Sequence, residues 1–120
     1  VNGRALPIAY QYDTETGIIK NATLVSLGTF KTTAYCPCRS CSEGYGRLTK
    51  TGTQATASRT VAVDPRVIPL GSHLLIDGVE YIAEDVGGGV KGKHIDIFYN
   101  THSETKNHGV ERSEVYLIQS

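Results

Sequence analysis

Residues 73–99 read HLLIDGVEYIAEDVGGGVKGKHIDIFY, and the fold turns on this stretch. Three apolar runs, His73–Asp77, Val79–Glu84 and His94–Tyr99, are short and rich in the β-branched and aromatic residues that suit a pleated, half-buried surface. Asp77-Gly78 stands between the first two. That pair tolerates positive φ and predicts a tight hairpin. Between the second and third runs lies a glycine-dense segment flanked by Asp85 and Asp96. A carboxylate inside a β pattern is costly to bury unless it is paired or used, so an acid site is expected here.

Working outward, Leu27–Tyr35, Arg59–Val63 and Glu114–Gln119 have the same character. Six short strands bounded by Gly or Pro predict a mainly β barrel or sandwich. One helix start stands out, with Ser103 as cap for Glu104–Asn107 and Gly109 as the stop. Residues 36–57 form a polar stretch containing Gly44, Gly46 and Gly52, longer than an ordinary connection and of the kind that serves binding or moves. Residues 1–26 are weakly periodic, with a turn at Tyr12–Gly17. They read as an extra hairpin or as a linker from a neighbouring domain.

The chain has 120 residues, enough for one domain with its own core. Twelve basic and twelve acidic residues cancel, without a Lys or Arg stripe, which argues against nucleic acid or anionic lipid as partner. No apolar stretch approaches the roughly 20 residues that span a bilayer. The chain begins at Val1 and lacks Met. It reads as a trimmed piece from which an export signal could have been removed.

Cys36, Cys38 and Cys41 cluster as C-P-C-R-S-C, and a disulfide would leave one thiol over. Zinc usually takes four ligands, so a site would have to recruit His73, His94, His102 or His108. The preferred expectation is a local disulfide or free thiols in a surface loop, with no metal and no cofactor. Gly87, Gly92 and Lys93 match the G-x-x-x-x-G-K spacing of a phosphate loop, but His94 stands where Ser or Thr must hold magnesium. A strand pattern follows where a helix N-terminus is needed. The glycines, Gly88 among them, more readily serve sharp turns and close approach to a ligand.

Each aspartate has a plain structural alternative. Asp64 precedes Pro65 and can cap a turn, and Asp85 can do likewise before the glycines. Asp96 lies between Ile95 and Ile97, on the face shared with His94 and Phe98. It would be an ordinary surface residue unless that second face is a cleft.

Thr33-Ala34-Tyr35, Thr51-Gly52-Thr53, residues 59–71 (RTVAVDPRVIPLG) and residues 83–98 (AEDVGGGVKGKHIDIF) occur in order. So arranged, the chain from about Phe30 onward resembles the three-aspartate (3D) domain family, shared by lytic transglycosylases and stationary-phase survival proteins. The resemblance implies a six-stranded double-psi β-barrel over residues 27–120, with one or two short helices and a groove for peptidoglycan. Residues 1–26 lie outside it, as an extension from a neighbouring domain in a longer protein. The activity implied is that of a lytic transglycosylase, cleaving the β-1,4 bond from N-acetylmuramic acid to N-acetylglucosamine and closing a 1,6-anhydro ring. Asp96 matches the acid/base position. Asp85 and Asp64 are then its supporting carboxylates, and Thr33, Tyr35, Thr53, Lys91 and Gly88 are candidate substrate contacts. Thr33 and Thr53 would hydrogen-bond sugar, Tyr35 would be a stacking platform, and Lys91 would meet a substrate carboxylate or carbonyl. A solvated loop lysine would read the same. A non-catalytic peptidoglycan-binding barrel and a two-carboxylate hydrolase remain the alternatives. The expected location is the cell wall or the extracellular space of a bacterium, reached by export or delivered by a phage.

Overall fold

A computed structural model of the protein describes residues 5–13, 18–38 and 47–119. Strands β1 (Ala5–Asp13) and β2 (Ile18–Tyr35) form an antiparallel hairpin. Then come β3 (Thr60–Ala62), β4 (His73–Ile76), β5 (Val79–Asp85), β6 (His94–Phe98), helix α1 (His102–His108) and β7 (Glu111–Gln119). Around the sheet the order is β2-β6-β3-β5-β4-β7, with β7 also pairing β2, while β1 lies outside on β2. Six strands therefore close on themselves, which removes the open edges a sheet would expose. This is the six-stranded double-psi barrel that the resemblance implies. The pairs β2–β6 and β3–β5 are parallel and the other neighbours antiparallel.

The Asp77-Gly78 hairpin is found as expected. Ile76 pairs with Val79, and both turn residues take positive φ, 51° and 79°, as a two-residue hairpin with the right twist requires. Two expectations need correction. Strand β2 begins at Ile18, not Leu27, and runs unbroken past residue 26; its pairing with β7 shifts register between Ser26 and Gly28. Such a shift breaks the alternation that marks a strand in sequence. The helix is capped by Thr101, not Ser103. Thr101 Oγ1 accepts from the Glu104 amide at 3.3 Å, and a Glu104 carboxylate oxygen accepts from the Thr101 amide at 3.1 Å. This reciprocal box needs the acid three residues after the cap, which only Thr101 satisfies.

Alternation along the strands sorts the apolar residues into two clusters. Phe30, Val61, Val63, Leu74, Ile76, Ile95, Ile97 and Val115 are among those filling the barrel. Tyr35, Ala55, Ala62, Val90 and Phe98 form a smaller cluster on the other face. The second face of β6 is thus partly roofed by residues from the segments that follow β2 and β5. Burial of Phe30 and Phe98 contributes roughly 1.5–3 kcal/mol each.

Candidate active site

The barrel brings the three aspartates to one region, around strand β3. Ala62 pairs with Asp96 on β6 and with Asp85 on β5, so the two acids flank it across two strand spacings, roughly 9–10 Å between Cα atoms. Asp64 follows two residues later on the same chain. The β3–β5 pairing carries a bulge, with Val61 opposite Ala83 but Ala62 opposite Asp85. Glu84 is the extra residue. Bulges commonly re-aim a side chain beside a site, and here Asp85 comes near enough to Asp96 to oppose its ionisation.

Asp64 is a clamp. Its carbonyl accepts from the amides of Val67 and Ile68, both at 2.9 Å. Its buried carboxylate takes the Arg66 amide at 3.1 Å, the Arg66 guanidinium through two bonds of 3.2 Å, and the Gly92 amide at 2.9 Å. The Arg66 guanidinium, helped by the Gly92 amide, holds this carboxyl well below the usual carboxylate range. Asp64 thereby ties the glycine loop to the turn after β3. Asp85 is equally engaged: Oδ1 accepts from the amides of Val86 (2.9 Å) and Lys50 (3.0 Å), and Oδ2 from the Tyr35 hydroxyl at 3.1 Å.

Asp96 differs from both. Among the described residues its hydrogen-bond partner is the Thr33 hydroxyl, at 2.8 Å from Oδ1. Burial pushes its carboxyl up. Thr33, His94 and His108 oppose that push in part, and the charge of Asp85 adds to it. Thr33 also lies 2.7 Å from Nε2 of His94, whose Nδ1 is 3.2 Å from the Gly89 carbonyl.

The remaining sequence candidates are placed as follows. Tyr35 is corrected from the role of stacking platform: it is 6% exposed, its ring meets Phe98 edge-on at 5.3 Å, and its hydroxyl is spent on Asp85. Burial, reinforced by Asp85, pushes its phenol well above the ordinary tyrosine value. Thr53 is engaged elsewhere, in a cluster with Thr49 (2.7 Å) and Thr51 (3.2 Å) beside Glu84. Gly88 is exposed in the turn closed by the Val90 amide on the Gly87 carbonyl at 3.1 Å. Lys91 is exposed on the same loop.

Glu84 was missed as a further buried acid, 3% exposed. Arg59 binds it through Nε at 3.3 Å and Nη2 at 3.1 Å, and the Thr60 hydroxyl at 2.8 Å. Burial alone would raise its pKa, but those donors outweigh it and the carboxyl lies below its ordinary value. Strict alternation puts Glu84 on the face opposite Ala83, beside Thr60, and Arg59 with the Thr51–Thr53 segment covers it there.

The thiol expectation also meets a new neighbour. His102 Nδ1 lies 3.6 Å from Cys36 Sγ and 3.7 Å from Cys38 Sγ, and the two sulfurs are 3.1 Å apart. Cys41 is outside the described residues.

A closed barrel with this trio of aspartates around one strand defines the class of three-aspartate barrels. The chain belongs to the 3D domain family, whose sequence profile matches residues 59–119. It is 38% identical over 79 residues to the cell wall-binding protein YocH of Bacillus subtilis (strain 168), a segment covering 62% of this chain and 28% of YocH. In structure it resembles MltA from E. coli, with a TM-score of 0.54 and 23% identity over 61% of this chain and 27% of that one. The lytic transglycosylase LtgG of Burkholderia pseudomallei gives 0.52 and 23% over 60% and 26%. The chain therefore spans only a minor part of the length of each.

Proposed function

We propose that this domain is a peptidoglycan lytic transglycosylase in which Asp96 alone serves as general acid and then general base. The observation that carries this reading is the contrast among the acids. Asp64 and Asp85 are committed acceptors, whereas Asp96 is partly buried, has its pKa raised and is held by one hydroxyl. In the first step the Asp96 carboxyl gives its proton to the glycosidic oxygen, and the N-acetylglucosamine side departs. In the second, the Asp96 carboxylate takes the proton of the muramyl 6-hydroxyl as that oxygen bonds to C1. No water enters, and Asp96 ends protonated as it began. Asp85 adds negative charge beside the cationic transition state.

The Thr33 hydroxyl supports a proton-coupled version of this cycle. With Nδ1–H of His94 donating to Gly89, a neutral His94 leaves Nε2 as an acceptor, so Thr33 donates to it and accepts from protonated Asp96. With Asp96 ionised, the Thr33 hydroxyl turns its hydrogen from His94 to Asp96. One hydroxyl thus links the two protonation states. The reading places the domain's work at the cell wall or outside the cell.

The name of YocH favours a second reading, a wall-binding module without chemistry. Against it, Phe30 and Phe98 are the only phenylalanines, both are buried, and there is no Trp to serve as a sugar platform. Mass spectrometry of a peptidoglycan digest separates these readings. Muropeptides ending in 1,6-anhydro-N-acetylmuramic acid support the proposal; products heavier by one water indicate a hydrolase, and binding without soluble product indicates the module.

A further inference from the structure

We propose that Cys36, Cys38 and His102 are ligands of a zinc site that joins the end of β2 to the start of α1. Their donor atoms all lie within 4.8 Å of one another. A tetrahedral zinc with bonds of about 2.3 Å to sulfur and about 2.0 Å to nitrogen sets its sulfur–nitrogen edges near 3.5 Å, and small departures from the ideal angle move them by about a tenth or two. The sulfur–nitrogen separations of 3.6 and 3.7 Å match that edge. The sulfurs, at 3.1 Å, need to part by roughly 0.6 Å to reach the corresponding sulfur–sulfur edge. As thiols the pair shares an S–H···S contact; once ionised they repel unless a cation sits among them, and two sulfurs with one imidazole form a donor set suited to zinc.

The fold makes this meeting systematic. Tyr35 and Phe98 pair at the end of the parallel β2–β6 ladder, and the Tyr99 amide donates to the Tyr35 carbonyl at 2.8 Å. Cys36 follows directly on one side. On the other, the Thr101–Glu104 box fixes the first turn of α1 and with it the backbone of His102, whose carbonyl accepts from the Thr105 hydroxyl at 2.6 Å. Cys36 is buried, Cys38 is half-buried and His102 is exposed, so an ion can enter from the His102 side. The metal would anchor the root of residues 36–57, the segment whose Lys50 amide reaches Asp85. Binding converts two thiols to thiolates and releases two protons to solvent, so affinity rises with pH. The three donors leave one tetrahedral position for solvent or a further ligand.

The whole chain, purified under reducing conditions without chelator, tests this by elemental analysis, zinc titration and cobalt substitution. About one zinc per chain is expected. The cobalt form should show thiolate charge-transfer absorption in the near ultraviolet with tetrahedral bands in the visible. Cys38→Ser and His102→Gln should each weaken zinc binding roughly 10-fold or more, and His102→Gln leaves the helix cap intact. Chelation should lower the Tm of the parent but not of His102→Gln. Three results would overturn the proposal: no retained or titratable metal, a mass two hydrogens lower that marks a disulfide, or zinc binding unchanged by His102→Gln.

Discussion

Asp64 and Asp96 are the same residue type near one strand, and their surroundings push them in opposite directions. For Asp64 the folded pKa is depressed. It contributes stability above the unfolded carboxylate value of about 3.9, and that contribution is lost as pH falls toward its folded value. For Asp96 the sign reverses. Folding holds its proton more tightly than the unfolded chain does, so stability is lost as pH rises from about 3.9 through the raised folded value. Asp96→Asn removes that loss. The variant should be at least as stable as the parent at neutral pH, with the difference vanishing below about pH 3.9, while anhydro-product release falls by roughly 10² or more. Thermal melts across pH and a product assay check both halves; a variant that is inactive because unfolded would contradict the first. The same logic reaches His94, whose charge lowers the pKa of Asp96. His94→Gln should move the alkaline limb of the activity profile to higher pH, because Asp96 then keeps its starting proton longer. An unmoved limb would disconnect His94 from the cycle.

Elements carry the next set of consequences. Gly78 holds φ of 79°, and a Cβ there would meet nothing within 4 Å. Gly78→Ala should therefore cost only the left-handed backbone penalty, roughly 1–2 kcal/mol, read as a shifted urea midpoint with unchanged slope. This hairpin was legible because its turn chemistry is local: Asp-Gly between two apolar runs needs no knowledge of the rest of the chain. The Thr101 cap is equally local, written in a Thr-x-x-Glu spacing that Ser103 lacks. Other features were not legible. The engagement of the Tyr35 hydroxyl depends on Asp85 arriving from another strand, and the burial of Glu84 depends on Arg59 and the Thr51–Thr53 segment covering its face. The meeting of Cys36 with His102 depends on the parallel pairing of β2 with β6, across 66 residues. The motif order singles out three acids; their hydrogen-bond partners needed the closed barrel.

At the scale of the molecule, closure depends on β7 pairing β2 across positions such as Thr23 with Gln119 and Thr32 with Glu111. Such distant pairings form late and make the site a product of the finished fold. Among the described residues no helix is long and apolar enough to cross a membrane. Asp85 and Asp96 sit on strands, where spacing is set by the sheet, and Asp64 follows β3 by two residues, whereas Lys91 and Gly88 ride a loop. The bulge at Glu84 gives this arrangement an arithmetic character. A pleated strand keeps time in twos, and β5 slips one beat just before Asp85. Up to Ala83 the strand counts in step with the barrel interior; after the slip, Asp85 faces Tyr35 and the neighbourhood of Asp96. Parity, more than identity, therefore holds the acid in place. Losing one residue at that beat would turn Asp85 away and present a different side chain in its stead, and no substitution at position 85 could restore what the count had set.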